Sequence, residues 1–274
     1  MRSLTVLLFL LFVTPAAFSP PTPPQQSFLG FDRNDYPGDE VMNFLRKDLA
    51  FTGYWLGNPP QTKSNTWSGK REYLHSKGWG FLLLFSGPES GELRNEQYTL
   101  KRAENDGQAA ANAARREGFP SGSLIFLDVE EGGRLPSVYV TYLKHWISSL
   151  LRQGFRAGVY CSGIPVDEGE GVKLVTADFI RDQIKPAELS YWVFNDSCPP
   201  SPGCEMSQSA PSPEKSGVAF AQVWQFVRSP RDKETARHCR GYAKDGNCYA
   251  VIDTARKFHL DLNVAKTSDP SAPR

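Results

Sequence analysis

The chain has 274 residues, room for one large domain or two small ones. It carries 31 Lys+Arg against 30 Asp+Glu, a formal charge of +1, which excludes the basic excess that nucleic-acid or acidic-membrane binding needs. Hydrophobic residues make up 40% and charged residues 22%, a globular rather than a disordered composition, long enough to bury a core without metal or disulfide staples.

The N-terminus reads as an export signal over residues 1–19. Arg2 precedes an apolar run from Leu4 to Val13, broken only by Thr5, and small residues follow at Ala16, Ala17 and Ser19. The run is about half of what a bilayer span requires. An uncleaved signal anchor is the alternative. Residues 20–26, PPTPPQQ, form a stiff polyproline spacer. The expected location is therefore secreted or extracytoplasmic, in the periplasm or cell envelope, with no membrane contact after signal removal. Export gives the five cysteines a meaning. Cys198 and Cys204 lie in one Pro/Gly-containing loop and Cys239 and Cys248 in another, so each pair is a candidate loop disulfide. Cys161, in the apolar run AGVYCSG, reads as a buried free thiol. The cysteine spacings are not those of a zinc site, and no metal or cofactor is expected.

From residue 27 onward, strand-like and helix-like segments alternate. Strand candidates are 27–33, 51–56, 80–85, 123–130, 156–162, 190–195, 219–226 and 258–262. Helix candidates fall at about 39–49, 68–77, 99–117, 137–153 and 176–185. Gly118 and Gly154 follow two of these helices as C-terminal stops, and Thr176 is placed to cap the last one. Val138, Tyr142, Trp146, Ile147 and Leu150 share one helix stripe. Several strands are continuously apolar, as in a parallel sheet covered by helices. The pattern predicts an α/β fold, a single (β/α)8 TIM-like barrel over 27–266, with elaborated, disulfide-bearing loops at the C-terminal face. A doubly wound open sheet is the alternative. The tail 267–274 is expected to be disordered.

Carboxylates fall at strand ends. Asp32 closes the first strand, Asp128 and Glu130 the fourth, and Asp261 lies in the last. Residues i and i+2 of a strand share a face, so Asp128 and Glu130 should point together and Glu131 away. Crowded carboxylates in a partly dry cleft repel, and at least one pKa should rise. One protonated acid beside one anion is what glycoside hydrolysis needs. A lone strand-end acid is usually a helix cap or a solvated loop residue. Acids at three separate strand ends are harder to explain that way. The catalytic candidates are Glu130, Asp128, Asp32 and Asp261. Tyr160, Trp224, Trp192 and Asn263 are candidates for substrate binding, the aromatics as sugar-stacking walls. No P-loop, GxSxG or HExxH motif competes.

In order along the chain, Gly30-Phe31-Asp32, Leu127-Asp128-Val129-Glu130, Ala157-Gly158-Val159-Tyr160, Val223-Trp224-Gln225-Phe226 and Leu260-Asp261-Leu262-Asn263 resemble strand motifs of the family-25 glycoside hydrolases, the muramidase-type lysozymes. With FDRNDYPG, TGYWLG and DVEEG the texture is similar to a bacterial family of glycoside hydrolase-like domains of the DUF1906 type, related to those lysozymes. The resemblance implies that Glu130 is the general acid, that Asp128 tunes its proton, and that Asp32 and Asp261 stabilise positive charge or orient an N-acetyl group. The function expected is a secreted, monomeric glycosidase whose partner is a cell-wall or related polysaccharide. The alternatives are a non-catalytic glycan-binding barrel that keeps the acids, and a hydrolase of small glycosides on the same scaffold.

Overall fold

A computed structural model describes residues 26–184, 189–195, 212–227 and 260–273. The signal segment, most of the spacer and the four loop cysteines Cys198, Cys204, Cys239 and Cys248 lie outside those residues. The described strands that build the main sheet are β1 (Phe28–Asp32), β2 (Phe51–Trp55), β3 (Gly80–Ser86), β4 (Leu124–Asp128), β5 (Arg156–Ser162), β8 (Leu189–Phe194), β9 (Val223–Val227) and β10 (Asp261–Ala265). They close in the order β1-β10-β9-β8-β5-β4-β3-β2. A small hairpin, β6 (Val166–Asp167) and β7 (Lys173–Leu174), sits in the β5–β8 connection and was not foreseen.

The closed barrel is as expected, but its regularity is not. The strands β1 to β5, β8 and β9 run parallel, whereas β10 pairs antiparallel with both β9 and β1. The described α-helices are α1 (Asp39–Leu45), α2 (Arg71–Ser76), α3 (Glu96–Arg116), α4 (Ser137–Arg152) and α5 (Thr176–Gln183), all before β8. The (β/α)8 expectation is corrected on this point, since a strand's direction is not written in its apolar pattern.

Three helices stop in the same way. After α2, α3 and α4 a glycine takes positive φ: Gly78 at 81°, Gly118 at 83° and Gly154 at 80°. The next residue is aromatic, and its N–H returns to the third residue from the helix end: Trp79 to Leu74, Phe119 to Ala114 and Phe155 to Leu150. This is the Schellman arrangement, with its apolar residue buried just before the following strand. Burying each ring is worth about 2–3 kcal/mol. Thr176 does not cap α5. It is the helix's first residue, and its Oγ1 accepts a 2.8 Å hydrogen bond from Gly133 N instead. Alanines on α3 and the buried stripe of α4 let these two helices approach closely; a Cβ at Gly107 would come within 2.6 Å of Ser149 Cβ.

The expectation of a disordered tail is also corrected for residues 267–273. Ser271 N donates to Phe81 O and Leu124 N to Ser271 O, both at 2.9 Å. Asp269 Oδ1 accepts from Phe81 N at 2.8 Å, and Ser271 Oγ from Leu83 N at 2.9 Å. The tail thus caps the end of the barrel where β3 and β4 begin. Polar residues in a Pro-containing stretch suggested disorder, but here they satisfy backbone donors that the sheet leaves open.

Candidate active site

Parallel strands end, and the reversed β10 begins, at the opposite rim. Alternation along each strand sends its rim residue into the barrel mouth. Asp32 and Asp261 are register partners on β1 and β10. The reversal is therefore what brings Asp261 to the rim, at the start of its strand rather than the end. Asp32, Asp128, Glu130 and Asp261 line one cavity of about 430 Å³. Gly53 on β2 makes space for Asp32, because a Cβ there would meet Asp32 Cβ at 2.6 Å.

β4 stops at Asp128, so Glu130 lies beyond the strand and is exposed to the cleft. The shared-face argument does not reach it, and Glu131 lines the same cavity instead of facing away. Glu131 Oε1 also accepts a 2.5 Å hydrogen bond from Ser90 N. Among the substrate-binding candidates, Tyr160 lines the cavity. Trp192 forms its floor with no exposed surface, edge-on to Tyr160 at 4.7 Å between ring centroids. Asn263 is fully buried beneath Asp32. Trp224 is not in the cleft: it sits on the opposite strand face from Gln225, where its indole donates to Asn195 O at 2.9 Å. Alternation within VWQFV explains the error, because only one of two neighbours can face inward. Gln225 and Trp55 line the cavity and were missed as site residues. Gln225 had a signal: it is the single polar residue in VWQFV.

Hydrogen bonds tie the floor together. Gln225 Nε2 and Asn263 Nδ2 donate to Asp32 Oδ1 at 2.9 and 2.7 Å. Tyr160 Oη donates to Gln225 Oε1 at 2.8 Å, and Trp192 Nε1 to Asn263 Oδ1 at 2.9 Å. Asp128 Oδ1 is buried with no hydrogen-bond partner among the described residues. Burial is the largest influence on both acids. It pushes Asp32 up to about 8, helped by the Asp261 charge and opposed by the Asn263 and Gln225 donors. Burial raises Asp128 well above the usual carboxylate range, helped by Glu130 and then Asp32. The expected rise thus falls on the two buried aspartates. The arrangement offers neutral acids in the floor and an exposed carboxyl at the rim, a set able to hold and move protons across a ligand in the cleft.

The sequence matches the family model described as "Rv2525c-like, glycoside hydrolase-like domain" over residues 47–221, more than half of the chain. No curated protein matches it. An uncharacterised Bacillus stearothermophilus protein superposes with a TM-score of 0.56 at 17% identity, over 87% of this chain and 95% of that one. The Clostridium perfringens spore cortex lytic enzyme SleM gives 0.52 at 14% identity, over 90% of this chain and 69% of its own. The Mycobacterium tuberculosis Tat-secreted protein Rv2525c gives 0.48 at 14% identity, over 90% and 98%.

Proposed function

Because the chain belongs to the Rv2525c-like, glycoside hydrolase-like family, we propose that it is an exported, monomeric glycosidase acting on a cell-wall or related polysaccharide. The observation that carries this reading is the meeting of four acids, from β1, the β4 end and β10, in one cavity beside Tyr160 and Trp55. Glu130, exposed at the rim, is the group a glycosidic oxygen can reach, and it acts as the general acid. Asp128 lies behind it, held well above the usual carboxylate range by burial and then by the Glu130 charge, and so stands beside the acid as a neutral neighbour. Asp261 faces the positive charge that develops on the sugar ring, while Asp32 orients the substrate. The barrel also serves a spore cortex lytic enzyme; that likeness supports the scaffold, and the chemistry rests on the acids.

The test is hydrolysis of peptidoglycan fragments and chitin-like oligosaccharides. Glu130→Gln keeps shape but cannot deliver a proton, so turnover should fall by about 10²–10⁴-fold while binding persists. Glu131→Gln keeps the oxygen that accepts from Ser90 N and should change the rate little. Equal losses in the two variants would reject Glu130 as the acid. Wild-type protein that binds these glycans without cleaving them at any pH would make the barrel a glycan-binding module.

A further inference from the structure

The floor of the cleft fixes which edge of Asp32 can carry a proton. An indole N–H can only donate, so the Trp192 contact at 2.9 Å makes Asn263 Oδ1 the acceptor and turns Nδ2 towards Asp32. Gln225 stands opposite Asn263 across β9 and β10, where the register shifts between Leu262 and Asn263. Both amides therefore reach the same oxygen, Asp32 Oδ1, at 2.7 and 2.9 Å. The Tyr160 hydroxyl holds the other end of the Gln225 amide at 2.8 Å. A carboxyl oxygen has two lone-pair sites. On Oδ1 both are filled by N–H donors, which leaves Oδ2 for a proton.

We propose that Gln225 is a positioning residue that, with Asn263, occupies Oδ1 of Asp32, so that the proton which burial and the neighbouring carboxylates keep on this acid sits on Oδ2 and is donated into the cleft. The surroundings agree. Asp261 on β10, Glu130 beyond β4 and Asp128 on β4 present carboxyl groups to Asp32, Tyr160 on β5 presents a phenol, and Arg33, which follows β1, acts on Asp261. An anion at Asp32 adds repulsion, whereas a neutral acid does not. The matching ligand group is an oxygen acceptor, such as an acetamido carbonyl or a sugar hydroxyl; this last step rests on the glycosidase reading. The resemblance to lysozymes implied that Asp32 stabilises positive charge or orients an N-acetyl group; the clamp favours the second role and makes Asp32 the donor in it.

Carboxyl ¹³C NMR of the full chain tests the clamp without any activity, with Asp32 assigned by the loss of its signal in Asp32→Asn. Gln225→Met removes one donor to the ionised form. Hydrogen bonds to charged groups of this kind correspond to an upward move of the Asp32 midpoint by about one to two pH units. An unmoved or lowered midpoint overturns the proposal. Lowering is what a reversed Gln225, accepting a proton from Oδ1, would give. Tyr160→Phe keeps both the ring and Gln225 and releases only the amide's anchor. Its midpoint should rise by less, and no rise overturns the clamp even if Gln225→Met does not fold. In hydrolysis assays the alkaline limb of the pH profile should move up together with the NMR midpoint. A limb that stays while the midpoint moves refutes the donor role. A midpoint that moves in a protein whose wild type never hydrolyses glycan removes the glycosidase reading and leaves the clamp standing.

Discussion

Asp32→Asn turns the buried charge into a measurement of stability. The asparagine amide repeats the pattern of the neutral acid: its oxygen can take the Gln225 and Asn263 donors, and its NH₂ stands where Oδ2–H would be. Little packing is lost, so the variant should fold. What it loses is titration. Asp32 is pushed from an ordinary 3.8 up to about 8 in the fold, so the folded state binds a proton that the unfolded chain releases. For a raised value, the contribution to stability is complete below the unfolded pKa and is lost as pH rises towards the folded one. One such proton gives a slope of about 1.4 kcal/mol per pH unit inside that window.

Between pH 5 and pH 7 the wild type should therefore lose about 3 kcal/mol relative to Asp32→Asn, and above pH 8 the difference should level off under a ceiling of about 6 kcal/mol. Asp128, also raised, gives both proteins a common slope in the same direction. Urea unfolding followed by tryptophan fluorescence at half-unit pH steps supplies the two curves. Parallel curves would mean that Asp32 ionises like a surface carboxylate. A variant that loses stability faster than wild type as pH rises would mean that the charged form is the one the fold favours.

Two further substitutions probe the frame around the site. Gly53→Ala places a methyl 2.6 Å from Asp32 Cβ and 3.2 Å from Leu84 Cδ1; overpacking should cost about 1–3 kcal/mol and displace Asp32, lowering hydrolysis by more than the stability loss explains. Ser271→Ala, at the far end of the barrel, strips the acceptor from the buried Leu83 N–H. It should lower stability by about 1–3 kcal/mol, read as a fall in Tm with unchanged turnover, and an unchanged Tm would mean that the tail does not hold that donor.

The sequence carried the elements well where local chemistry decides them. Glycines with positive φ at 118 and 154 end α3 and α4 where expected, and β1 to β5 lie within two residues of the apolar runs that announced them. The convergence of Asp32, Asp128, Glu130 and Asp261 was legible as well, because acids that end otherwise apolar strands have no packing reason to be there. Legibility failed where two placements have the same local pattern. Trp224 and Gln225 are neighbours on one strand, and an aromatic is at home on either face; only the buried partner, Asp32, shows that Gln225 is the inward residue. Trp192 lines the cavity, and its indole N–H goes to Asn263, whose amide in turn reaches Asp32; neither bond is visible in the sequence.

The direction of β10 is the deeper case. A parallel eighth strand was inferred from a count, and with it Asp261 had to end the strand to reach the active rim. Asp261 begins the strand instead, and the strand runs backwards, so two errors cancel at the rim. The reversal matters for more than placement. It makes β1 and β10 antiparallel register partners, Asp32 against Asp261 and Gly30 against Asn263. Asn263, on the same strand face two residues further on, then lies directly beneath Asp32, with Trp192 behind it. In a parallel strand that ended at Asp261, residue 263 would lie above the rim in the following loop, and Asp32 would lack one of its two amide donors. The same change of direction that spoils the regular barrel thus builds the floor that leaves Oδ2 of Asp32 as the site for its proton.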